Sequence, residues 1–143
     1  VGSEMCIRDR YKSELSTQAL SIIKVVPFID EISEAYKWAD FVVCRSGALT
    51  ISELAHVGIC SILIPFPHAT DDHQFENAKI LERIGAAEIV LNHQFTPEFM
   101  AEKISFYASN IEARNSMSVK GKLIAEINST ERVSDECLGV AHG

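Results

Sequence analysis

Residues 41–55 read FVVCRSGALTISELA: a short apolar strand to Cys44, the turn Arg45-Ser46-Gly47, and a helix entered at Ala48 or Leu49. A strand running into a helix through so short a turn is half of a strand–helix–strand unit, and units of that kind build parallel sheets. The turn residues suit the junction. A serine oxygen can accept from a free helix N–H, and glycine tolerates backbone angles that other residues avoid. A helix opening there leaves unpaired N–H groups and a partial positive charge, ready for an anion or a sugar-nucleotide oxygen. Glu53 lies within the first two turns, where an acid can accept hydrogen bonds from paired hydroxyls, as acids do with ribose in nucleotide-binding α/β folds.

The flanking residues continue the alternation. Residues 21–26 (SIIKVV) are rich in β-branched side chains and predict a strand stopped by Pro27. Asp30 is placed as an N-cap, and Ile32, Ala35, Tyr36 and Ala39 recur at helical spacing, which predicts a helix over 30–39. The helix after the turn is expected over 49–57 with Gly58 as its stop. The apolar run 60–65 (CSILIP) suits a strand buried on both faces. Residues 66–72 form a polar loop, 72–84 a helix with Phe75, Ala78, Leu81 and Ile84 on one face, and 87–91 a last strand. Thr96-Pro97-Glu98 is a helix start, and helices are expected over 99–108, 111–125 and 130–140. The whole reads as an α/β chain: a Rossmann-like parallel sheet with flanking helices.

Composition narrows the classes. With 47% hydrophobic and 23% charged residues in 143, the chain fits one globular domain with a core of its own. Twenty acids against thirteen Lys and Arg give a net charge of −7, which opposes nucleic acid as a partner. No apolar run reaches the ~18 residues of a membrane-spanning helix. The four cysteines, Cys6, Cys44, Cys60 and Cys137, form no C-x-x-C pair. Cys44 and Cys60 sit in apolar strand-like runs and are expected to be buried free thiols, in keeping with a reducing compartment.

In an open α/β sheet, ligands sit beyond the carboxyl ends of the strands. Three segments converge there: 27–32, 46–53 and 66–77. Ala48 and Leu49 would serve through backbone N–H groups. Thr50 and Ser52 either cap or face solvent. Gln74 and Asn77 lie one turn apart and share a face, and two amides there suit sugar hydroxyls or an acetamido group. The alternative is ordinary helix-start polarity. His73 is a candidate general base or a solvent-facing cap residue. Asp71-Asp72-His73 has no second cluster to complete a metal site, so no metal and no cofactor are expected. Arg45 could pair with an acid or a phosphate. Tyr36 and Trp38 fit core or edge packing, and His56 falls on the exposed side of its helix. The chain contains no P-loop, no G-x-G-x-x-G and no nucleophile–base pair.

Taken together, these segments resemble the C-terminal domain of the MurG family of glycosyltransferases. The matching motifs are PFID at 27–30, ADFVVCRSGALT at 39–50, Ser52-Glu53, PFP at 65–67, DDHQ at 71–74, Asn77-Ala78, GAA at 85–87 and TER at 130–132, within a resemblance covering 25–140. The family transfers N-acetylglucosamine from its UDP donor to undecaprenyl-pyrophosphoryl-MurNAc-pentapeptide (lipid I to lipid II) in peptidoglycan synthesis. The resemblance implies the C-terminal half of a GT-B glycosyltransferase with inverting, metal-independent chemistry. It implies that the Ile29 backbone meets uracil with Phe28 beside it, and that Ala48, Leu49 and Thr50 line the pyrophosphate and sugar. Glu53 would hold the ribose, and Gln74, with Asn77 and His73, would contact N-acetylglucosamine. Ile51 and Ser52 belong to the same donor-binding stretch, and Ser46 and Gly47 adjoin it.

The sequence also departs from the family. The N-terminal domain, with its glycine-rich loops, acceptor site, membrane patch and catalytic base, has no counterpart here, nor do the first strands of the C-terminal domain. Residues 1–10 (VGSEMCIRDR) resemble adapter read-through and are set aside, residues 11–20 read as a remnant or linker, and 21–143 as the donor-binding domain. The natural chain is then expected to begin further upstream. The chain as given should hold a donor half-site without turnover, in a protein bound peripherally to the cytoplasmic face of the membrane. Two other readings stand beside this one: a non-catalytic nucleotide-binding module, and a UDP-sugar epimerase of GT-B shape.

Overall fold

The computed structural model describes residues 13–67 and 73–140. The decapeptide 1–10, the loop positions His68, Ala69, Thr70 and Asp71, and the helix start expected at Asp72 lie outside the described residues. The chain divides into two compact units, 1–35 and 36–143.

In the first unit, helix α1 spans Thr17–Ile22, and the Ser16 side chain accepts from the Ala19 N–H at 3.2 Å. The strand expected over 21–26 does not form. Ser21 and Ile22 close α1, and the Ile23 N–H continues the pattern by donating to the Ala19 carbonyl at 3.0 Å. The reason is local. A capped start followed by Gln18, Ala19 and Leu20 favours helix, whereas β-branched residues favour strand only where a pleated surface buries them. Ile22, Ile23 and Val26 are all exposed. Helix α2, Ile32–Trp38, crosses the boundary between the units.

The second unit continues with β1 (Val42–Cys44), α3 (Ala48–Val57), β2 (Ser61–Leu63), α4 (His73–Arg83), β3 (Ala87–Ile89), a 3-10 turn at Asn92–Gln94, α5 (Pro97–Ser109) and α6 (Ile111–Val140). The strands form one parallel sheet in the order β1-β2-β3, with Val42 opposite Ser61 and Ser61 opposite Ala87. The helices cover both faces. Ile51, Leu54 and Ala55 of α3 recur at helical spacing and meet Leu63 of β2 with Ala78 and Leu81 of α4 in one core. Ile62 points the other way, as strand alternation requires, and joins Cys60, Ile64, Val90, Met100 and Tyr107 in a second core under α5. Helix α6 serves both: Ala113 and Met117 pack on the second core, Ile124 and Ala125 on the first.

Turn chemistry fixes the ends. Gly58 closes α3 in the left-handed region at φ 67°, and its N–H bonds the Leu54 carbonyl. The Thr96 hydroxyl caps α5 and Pro97 takes its first turn. The Tyr107 hydroxyl donates to Glu88 Oε2 at 2.6 Å, and Lys103 pairs with Glu88 Oε1, tying α5 to β3. Two expectations need correcting. Helix α6 runs unbroken where two helices were expected, because Glu126-Ile127-Asn128-Ser129 contains neither proline nor glycine to stop it. Trp38 does not pack in a core but is 88% exposed; only Tyr36, two residues earlier, turns inward. Cys44 and Cys60 are free thiols, half-buried and buried respectively.

Candidate functional site

The site is built at the junction of β1 and α3. Gly47 is the N-cap of α3, and no side chain caps that helix. Its backbone, φ −61° and ψ 152°, is ordinary extended chain, so the expectation that glycine is needed here for unusual angles is wrong. A Cβ at Gly47 would meet only Thr50 Oγ1, at 3.8 Å. The reading of Ser46 as an acceptor for the helix N–H groups also fails. Ser46 is fully buried, and its hydroxyl donates to the Gln74 carbonyl at 2.7 Å. Burial decides this, because an enclosed hydroxyl must find a partner where it lies. The result leaves the first N–H groups of α3, at Ala48, Leu49 and Thr50, without a side-chain cap.

Three segments are laced together around that helix start. Asn77 Nδ2 donates to the Ser46 carbonyl at 3.5 Å. Arg45 Nη1 donates to the Ile64 and Pro65 carbonyls at 3.1 and 3.3 Å, and its guanidinium lies 5.3 Å from the Phe66 ring centre. The Phe66 N–H donates to Gln74 Oε1 at 3.0 Å. An N–H requires an oxygen partner, so this last contact fixes which end of the Gln74 carboxamide is which. The exit of β1, the exit of β2 and the start of α4 thus form one rim at the carboxyl edge of the sheet, where α/β folds take ligands.

Glu53, half-buried on α3, accepts a hydrogen bond at Oε2 from the Tyr36 hydroxyl at 3.3 Å. The Tyr36 hydroxyl is harder to ionise than usual, through burial first and then the negative charges of Glu53 and Cys44. A groove of about 360 Å³ runs beside α3, bordered by Ala48, Ser52 and His56 with Asn77 of α4 and Ile124 of α6. Ser52 and His56 are exposed, as the periodicity of α3 predicts. Ile51 lies in the core with its N–H bonded to the Gly47 carbonyl at 3.0 Å, so its side chain shapes the helix rather than facing the rim. His73 opens α4 and is exposed. Phe28 and Ile29 belong to the first unit, where both are exposed, at 74% and 45%. Among the described residues, no three His, Cys, Asp or Glu side chains are grouped as a metal site would need.

Two residues named in the sequence have partners that it did not reveal. Arg45 carries no local mark of its partners, which are backbone carbonyls of a neighbouring strand end. Tyr36 reads as packing, since its hydroxyl contact lies seventeen positions away.

A parallel sheet flanked by helices, with an open helix start and an acid at its carboxyl edge, has the architecture of the C-terminal half of a GT-B glycosyltransferase. Residues 5–132 match the glycosyltransferase family 28 C-terminal domain, and the chain belongs to that family. It is 46% identical over 119 residues to the UDP-N-acetylglucosamine--N-acetylmuramyl-(pentapeptide) pyrophosphoryl-undecaprenol N-acetylglucosamine transferase of Shewanella denitrificans, a match covering 83% of this chain and 32% of that protein. It is 40% identical over 137 residues to the protein of the same name from Saccharophagus degradans, covering 94% of this chain and 35% of the relative. The crystal structure of Acinetobacter baumannii MurG superposes with a TM-score of 0.65 at 40% identity, over 71% of this chain and 29% of that one. The chain therefore spans about a third of the length of the curated relatives it matches.

Proposed function

We propose that this chain is the UDP-N-acetylglucosamine-binding part of an inverting N-acetylglucosaminyltransferase acting on undecaprenyl-pyrophosphoryl-MurNAc-pentapeptide in peptidoglycan synthesis. The observation that carries the reading is the uncapped start of α3 with Glu53 on the same helix. Transfer turns UDP into a leaving group, and negative charge grows on its diphosphate. N–H groups fixed at a helix start stabilise that charge without having to reorganise. In this reading Ala48, Leu49 and Thr50 meet the diphosphate, with Ser46, Gly47, Ile51 and Ser52 setting the backbone that presents them. Glu53 accepts from the ribose hydroxyls. The Gln74 amide nitrogen donates to the amino sugar, with Asn77 and His73 beside it. The names of the relatives support the same donor and the same lipid-linked acceptor. The acceptor, the catalytic base and peripheral attachment to the cytoplasmic side of the membrane would fall to the two thirds of those relatives that this chain does not span. Among the described residues no helix is long and apolar enough to cross a membrane.

Calorimetric titration with UDP and with ADP tests the reading. UDP should bind and ADP should bind more weakly. Glu53→Ala should weaken UDP by about 10- to 100-fold, the loss of hydrogen bonds to a charged group, with the circular dichroism spectrum intact. Unchanged UDP affinity in that variant would remove Glu53 from the site.

A further inference from the structure

We infer that Tyr36 is a positioning residue for the Glu53 carboxylate, and so sets how strongly the site distinguishes a ribonucleotide from its 2′-deoxy form. The inference rests on the ribose role proposed for Glu53. Its own support is the geometry of the pair. The Tyr36 ring packs against the α3/α4 core, which fixes it, and its hydroxyl donates to Glu53 Oε2 at 3.3 Å across two helices. A glutamate on a helix surface samples many rotamers, and immobilising it on binding costs entropy. A partner already in place reduces that cost before the ligand arrives. An ionised carboxylate accepts at two oxygens with about four lone-pair sites. One donor from Tyr36 therefore leaves capacity for two vicinal hydroxyls. A phenol is protonated, and hence a donor, at neutral pH, and burial and the neighbouring acid shift it further in that direction.

Calorimetry with UDP and 2′-deoxy-UDP on the wild-type chain, Tyr36→Phe, Glu53→Ala and the double variant tests this. Phenylalanine retains the ring packing and removes only the donor. Tyr36→Phe should weaken UDP by about 3- to 10-fold, the worth of one hydrogen bond, and weaken 2′-deoxy-UDP less, so that the ratio of the two affinities contracts. In the Glu53→Ala background the same substitution should change nothing further. Tyr36→His, which keeps a ring and an N–H donor, should recover part of the ratio; Tyr36→Leu, which also lacks a donor, should contract the ratio as Tyr36→Phe does and stands in if Tyr36→Phe loses its fold. A ratio unchanged by Tyr36→Phe but contracted by Glu53→Ala overturns the positioning role and leaves the ribose reading standing. A ratio unchanged by both variants overturns the ribose reading, and this inference with it. Equal loss for Tyr36→Phe in both backgrounds would mean that the hydroxyl acts independently of Glu53, and overturns the positioning role.

Discussion

Two buried serines of the second unit stand in opposite energetic positions. The Ser61 hydroxyl, at the start of β2, is enclosed and has no hydrogen-bond partner among the described residues. Ser46 is equally enclosed, but its hydroxyl donates to the Gln74 carbonyl. An unpaired buried hydroxyl carries a desolvation penalty, whereas removing one member of a buried pair strands the other. Ser61→Ala should therefore be neutral or stabilising by up to about 1 kcal/mol, and Ser46→Ala destabilising by about 1–3 kcal/mol. Urea midpoints of the two variants check the pair of signs; a destabilising Ser61→Ala would show that its hydroxyl has a partner. Gly58 presents a third single-residue case. Its left-handed backbone and the stem of Lys122, whose Cγ an added Cβ would overlap, both oppose any side chain there. Gly58→Ala should cost about 1–2 kcal/mol from the backbone alone, plus a steric part that Lys122→Ala relieves because a flexible side chain can be removed. Additivity of the two substitutions would argue against that contact.

Elements whose signals are local and reinforced by burial were legible from sequence. In α3 the period of Ile51, Leu54 and Ala55 and the stop at Gly58 agree, and the helix forms as expected. The same holds at α5, where Thr96 and Pro97 mark a start that the structure keeps. Thr96→Ala should lower stability by about 1 kcal/mol, the usual worth of such a cap, and a thermal melt unmoved by it would place the Phe99 N–H on water instead. Segments read from residue preference alone fared worse. Residues 21–26 have strand-like side chains, but strand stability comes from neighbours, and the capped helix ahead of them claims Ser21 and Ile22. Residues 126–129 were expected to separate two helices, yet nothing there prevents the i to i−4 pattern from continuing through α6.

Across the whole chain, the parallel direction of the strands follows from strand–helix alternation and so could be read in advance, as could the carboxyl edge at which such sheets take ligands. The lacing of that edge could not. Ser46 to Gln74, Arg45 to Ile64 and Tyr36 to Glu53 each join positions far apart in sequence, and only packing brings them together. Packing also sets the response to alkali. Burial pushes the Cys44 thiol up from 9 to about 11, and burial with the Glu88 charge does the same for Cys60 despite the opposing pull of Arg114. Tyr36 and Tyr107 are shifted upward as well, again mainly by burial. Between pH 9 and 11 the unfolded chain releases its thiol protons while the folded chain keeps them, so the unfolded state binds fewer protons and stability falls as pH rises. Below pH 9 the contribution of the two thiols is complete. The urea midpoint should therefore hold steady up to about pH 9 and decline towards pH 11. A chain carrying Cys44→Ala and Cys60→Ala should start lower, because one half-buried and one buried side chain are trimmed, but decline less steeply. An identical slope in the two chains would assign the alkaline loss to the tyrosines or to the growing negative charge of the molecule, and would mean that the buried thiols ionise as readily folded as unfolded.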